Sequence, residues 1–143
     1  MSIATHHLKL IIILAFLIHG EMVYAETGKA PDPGAVIQGK ILYEKYCLIC
    51  HQKDGVGEEQ LPWGVRLPEF TPAMPLNETS HAWHHADEGL AITILEGPRS
   101  TKRMPAFKNI LSREEVRKTI AYIKSLWSPR IIACQGPKHM RCM

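Results

Sequence analysis

Cys47, Cys50 and His51 fall within the stretch YCLICHQKDG. Two cysteines separated by two residues, with a histidine directly after, allow several chemistries. The thiols can cycle as a redox disulfide or supply half of a zinc site. They can also add across the two vinyl groups of a haem as thioethers, with the histidine coordinating iron. The bland alternative is a plain disulfide beside an incidental histidine.

The compartment helps to choose among these. The chain of 143 residues opens with Lys9 ahead of an unbroken apolar run, Leu10 to Ile18, and then Val23 and Ala25. A basic residue, a short apolar run and small residues at spacing two form a signal peptide, with cutting expected after Ala25. The run is too short to cross a bilayer, which takes roughly 20 residues. Residues 1–25 are therefore expected to be removed, and the mature chain to be exported to the periplasm. All four cysteines lie in the mature part, where thiols tend to be oxidised or occupied.

Zinc usually takes four protein ligands. The second cysteine pair, Cys134 and Cys142, lies far away with wider spacing, so the zinc reading is weak. A thioredoxin-like pair sits at a helix N-terminus after a strand; this pair follows a helical pattern. Haem attachment fits directly. Leu48 and Ile49 span the distance between vinyls, and His51 is placed to coordinate iron.

The elements that must hold such a group are legible in outline. Residues 26–34, rich in Pro and Gly, read as a flexible lead-in. Apolar residues Val36, Ile37, Ile41, Leu42, Tyr43 and Tyr46 give helical periodicity from about Ala35 to Tyr46. Residues 52–77 show no sustained period and carry three glycines and four prolines. A loop of that length inside a compact domain implies that something else organises it, and a large prosthetic group would. A second helix is expected from about Trp83 to Glu96, ended by Gly97 and Pro98. The third opens on a capping box, Ser112 with Glu115, and carries the stripe Val116, Ile120, Ile123 and Leu126 or Trp127, until Pro129 stops it. No run alternates as a strand does, so the fold class is nearly all-α. Composition is that of one ordinary globular domain, 45% hydrophobic and 22% charged. A net charge of +3 without a basic run gives nucleic-acid binding little support.

A haem iron that carries electrons wants a second axial ligand, commonly a methionine thioether, which raises the potential. Met74-Pro75 and Met104-Pro105 compete, with His81, His84 and His85 as further candidates. Met104 lies just ahead of the capped helix, where a rigid element can hold it, and Pro105 stiffens the loop. Met104 is therefore the expected ligand, with Met74 covering the haem edge and Phe107 packing on haem or core.

In their order, GKILYEKYCLICHQKDGVG, ADEGLAITILEG and KRMPAFKNILSREEVRKTIAYIKSLW resemble a class I, monohaem c-type cytochrome of the small exported kind, over about residues 35–128. The resemblance implies the cytochrome c fold: three main helices around one haem c bound through Cys47 and Cys50, with crossing N- and C-terminal helices. It implies that Gly39 and Tyr43 meet Tyr122 and its neighbours; a glycine lets helices approach closely. HAWHHADEGL is similar to a subgroup carrying Trp-His-His ahead of the middle helix. Gln52 departs from the pattern, which often has Gly after the haem histidine.

The expected function is a periplasmic electron carrier, not an enzyme, with His51 and Met104 on the iron. Its partners are redox proteins that dock weakly, and membranes enter only through membrane-bound redox complexes or an uncleaved signal segment. The rivals are a haem enzyme or sensor whose open distal site takes peroxide or a small gas, and a cytochrome with a copper-handling tail. Trp83, His84, Arg99, Lys102 and Arg103 read as packing or solvated groups, with pairing to haem propionates the sharper alternative. The tail, 129–143, holds Cys134, His139, Met140, Cys142 and Met143. Gly136 and Pro137 favour a turn that brings the cysteines together, so a disulfide is the leading reading, with soft-ligand copper binding as the other.

Overall fold

The computed structural model describes residues 26–65 and 67–143. The expected signal segment lies outside them. Among the described residues there is no β-strand, and no helix is long and apolar enough to cross a membrane. The helices are α1 (Pro33–Tyr46), α2 (Leu48–His51), α3 (Asp87–Glu96), α4 (Arg113–Ser125) and α5 (Pro129–Cys134). Tight 3-10 turns lie at Lys53–Gly55, Trp63–Val65, Ala82–His84 and Gly136–Arg141.

Helix α1 starts two residues earlier than periodicity suggests. The Asp32 carboxylate accepts from the Ala35 N–H at 2.8 Å, and Pro33 occupies the first turn, where its missing N–H costs nothing. Its buried face is Ala35, Gly39 and Tyr43, whereas Ile37 and Ile41 are exposed, 66% and 62%. Of the apolar residues that set the periodicity, Tyr43 is buried and Val36, Leu42 and Tyr46 pack against the core, so only Ile37 and Ile41 fall off the buried face. Contact with α4 is made along the smallest residue, and a Cβ on Gly39 would overlap the Lys118 carbonyl. One turn on, the Tyr43 and Tyr122 rings lie 4.9 Å apart.

Helix α4 forms as expected. Ser112 and Glu115 exchange both capping bonds, and Val116, Ile120, Ile123 and the following Trp127 are buried. Helix α3 is shorter than expected. His85 and Ala86 are extended, so Trp83 and His84 belong to a separate 3-10 turn, and the helix begins at Asp87. Gly97 ends it at φ 76°, a conformation that favours glycine.

Two stretches are more ordered than their composition suggested. The tail is not loose: Ser128 caps α5 and Pro129 is its first residue, so the proline that stops α4 also starts α5. Ile132 and Cys134 join Tyr43, Trp83, Tyr122, Ile123 and Trp127 in one core cluster, so the core extends past residue 128. The lead-in is pinned as well. The Gly28 N–H donates to the Gln135 side chain at 3.1 Å, and the Asp87 N–H donates to the Thr27 hydroxyl at 2.9 Å. Both bonds surround a buried ionic centre. Lys124, with no exposed side chain, donates to both Asp87 oxygens at 3.1 and 3.3 Å and to the Glu26 carbonyl. Burial pushes the Lys124 ammonium below its ordinary value, against the opposing pull of Asp87.

Candidate functional site

A cavity of about 260 Å³ opens between the C-terminal end of α1 and the loops on either side of α3. Its walls include Cys47, Cys50 and His51, then Met74 from the long loop, and Met104 and Phe107 from the loop after α3. Leu90, Ile94, Leu111 and Ile123 complete an apolar lining. Cys47 and Met104, far apart in the chain, thus meet at one hollow.

Cys47 ends α1, and its N–H still bonds to the Tyr43 carbonyl at 2.8 Å. The single turn of α2 then carries Cys50 and His51. Both cysteines are free thiols, although Cys134 and Cys142 of the same chain are bonded to each other. Burial, with a smaller push from Cys50, raises the Cys47 thiol to about 11. Neither thiol is tied up in a disulfide and both face the cavity, as addition to two vinyl groups requires.

His51 is held by the loop that faces it. Its Nδ1 lies 2.9 Å from the Met74 carbonyl. A carbonyl only accepts, so Nδ1 carries the proton and Nε2 keeps the lone pair that a metal needs. Burial lowers the imidazole from its ordinary value, with the Met74 and Glu58 oxygens pulling the other way. A neutral, oriented imidazole with a donor-side backbone bond suits iron ligation. The donor set and apolar hollow fit a haem.

Immediately after His51 the chain turns sharply. Gln52 stands at φ 58°, ψ 174°, a region that L side chains rarely adopt. The Tyr43 hydroxyl donates to the Gln52 carbonyl at 2.7 Å and fixes the turn. The unusual residue noted in the sequence thus occupies a glycine-type conformation.

Both methionines reach the cavity wall, from different segments of the chain. The Met74 backbone accepts the His51 proton, which places that segment on the histidine's side. Met104 packs against the cluster of Ala91, Ile94, Leu95 and Phe107. Phe107 is buried and meets Tyr46 edge-on at 6.1 Å, serving the core while lining the cavity.

Of the other candidate residues, His81, His85 and Arg103 also reach the cavity wall, and the rest lie elsewhere. The buried Trp83 donates its Nε1–H to the Glu78 carbonyl at 3.3 Å. His84 stacks on His139 of the tail, with centroids 4.4 Å apart. His81 and His85 line the cavity. Lys102 pairs with Glu69, Arg103 forks onto Glu58, and Arg99 is exposed. In the tail, the Cys134–Cys142 bond leaves no thiolate there for a soft metal, His139 Nδ1 bonds to the Gly136 carbonyl, and Met140 and Met143 are exposed. Among the described residues no three His, Cys, Asp or Glu side chains are grouped to hold a metal ion. Sequence reading missed the Glu58–Arg103 contact, because nothing local links residues 45 apart.

An all-α frame with this donor set around an apolar hollow is that of a c-type cytochrome domain. A family model described as cytochrome c oxidase, cbb3-type, subunit III matches residues 34–123, and the chain belongs to that family. No solved structure matches the chain. A cytochrome c domain implies a haem c cofactor and haem-based electron transfer.

Proposed function

We propose that the protein is an exported electron carrier with one haem attached through Cys47 and Cys50 and axial ligands His51 and Met104. The observation that carries this reading is the meeting of Cys47, Cys50, His51 and Met104 on one apolar cavity. The haem supplies the redox change between ferrous and ferric iron. The chain's residues do the rest. Cys47 and Cys50 hold the group covalently. The Met74 carbonyl fixes the His51 tautomer and ring plane. Leu90, Ile94, Phe107 and Ile123 exclude water, and a thioether from Met104 favours the reduced iron.

The signal-like N-terminus supports a periplasmic location, where thioether haem is formed. Redox proteins, including membrane-bound complexes, are the proposed partners, docking weakly over the haem edge. The Cys134–Cys142 bond supports the same oxidising compartment.

Acid-acetone extraction of the protein taken from the periplasm tests the reading. Haem stays with the chain, and Cys47→Ala/Cys50→Ala releases it. The retained haem titrates reversibly as a one-electron couple. Haem that extracts freely from the unaltered protein contradicts covalent attachment.

A further inference from the structure

Arg103 directly precedes Met104 in the chain. Its Nη1 and Nη2 donate to the two carboxylate oxygens of Glu58, at 2.5 and 2.7 Å, and Nη1 also reaches the Thr71 carbonyl at 3.2 Å. Such a two-point fork fixes geometry as well as charge. Glu58 in turn grips the loop that orients His51. Its Oε2 accepts from the Ala73 N–H at 2.8 Å, and its own N–H donates to the Ala73 carbonyl at 3.0 Å. Ala73 adjoins Met74, the acceptor for His51. The neighbouring Gly57 N–H donates to the His51 carbonyl at 2.9 Å. A Cβ on Gly57 would come within 2.7 Å of the Ala73 oxygen, so the two segments run in backbone contact. The pair is also more sheltered than an ordinary surface bridge, with side chains 37% and 26% exposed.

The unbroken path is therefore Met104–Arg103–Glu58–Ala73–Met74–His51. We infer that Arg103 and Glu58 are positioning residues, which lock the Met104 loop to the His51 loop and so set both axial bonds to the haem iron. This rests on the His51/Met104 ligation proposed above. Two separate charges near an iron would act differently. Losing the Arg103 cation would lower the potential, and losing the Glu58 anion would raise it. A clamp gives one sign for both losses, because the thioether bond that raises the potential is weakened in each.

The experiment compares the haem-loaded full protein with Glu58→Gln, Arg103→Gln, the double variant and Arg103→Lys. Reduction potential and affinity for added imidazole are read for each. The clamp predicts a lower potential in both single Gln variants. It predicts about tenfold tighter imidazole binding in each, the scale of one charge-assisted bond. The double variant is no worse than the worse single one, and Arg103→Lys, which keeps charge but loses the fork, falls in between. Potential shifts of opposite sign, or unchanged imidazole affinity in both single variants, overturn the clamp alone. A missing sulfur-to-iron band in the unaltered protein overturns the ligation reading and the clamp with it.

Discussion

Gly39 of α1 lies against the Lys118 carbonyl of α4 with no room for a methyl group between them. The obstacle is backbone on both sides, so no rotamer change relieves it. Gly39→Ala is expected to cost about 3 kcal/mol, the upper range for overpacking. Chemical denaturation checks this. A loss below about 1 kcal/mol would show that α1 and α4 can slide apart freely.

Gln52 occupies a backbone conformation that suits glycine. Replacing it should relieve strain of order 1–3 kcal/mol, offset by the greater freedom of glycine in the unfolded chain. Gln52→Gly is predicted to stabilise the protein by about 1 kcal/mol. The measurement is the denaturation midpoint, and a destabilised variant would refute the strain.

The tail is fastened by Cys134–Cys142, which closes a loop of sequence separation 8. Cys134→Ser/Cys142→Ser is expected to lose about 2.5 kcal/mol through the freed unfolded chain. The same variant settles the copper question. Thiol-dependent copper uptake should be absent from the oxidised protein, and uptake lost in the double variant under oxidising conditions would contradict the disulfide.

Four imidazoles gather where the tail meets the Ala82–His84 turn. His84 stacks on His139, and His81 lies edge-on to both His84 and His85. Burial first, then His139, His81 and His85, hold His84 below its ordinary value of 6.5. A histidine depressed in the fold contributes fully above the unfolded value. That contribution is lost as pH falls through the lower folded one. The melting temperature should fall between about pH 7 and pH 5, and His84→Gln should flatten the slope. An identical slope in the variant would remove His84 from the account.

The readable parts of the sequence were those with local rules. Ser112 and Glu115 announced α4 because a capping box involves residues three apart, and Cys47, Cys50 and His51 announced the site because their spacing is the one that haem attachment would need. In α1 the periodicity finds Val36, Leu42, Tyr43 and Tyr46 but passes over Gly39, which contributes nothing to it although its lack of a side chain decides where α4 can approach. Pro129 ends the α4 pattern and, with Ser128 before it, also starts α5, a double use that periodicity does not show. The clamp of Arg103 on Glu58 and the buried Lys124–Asp87 pair were invisible, since both join residues brought together only by the finished fold.

The ferric absorption spectrum of the haem-loaded protein tests the central reading most directly. It should show low-spin iron with the weak sulfur-to-iron band at the red end, kept in Met74→Ala and lost in Met104→Ala. High-spin ferric iron in the unaltered protein, or a band that survives Met104→Ala, would contradict ligation by His51 and Met104.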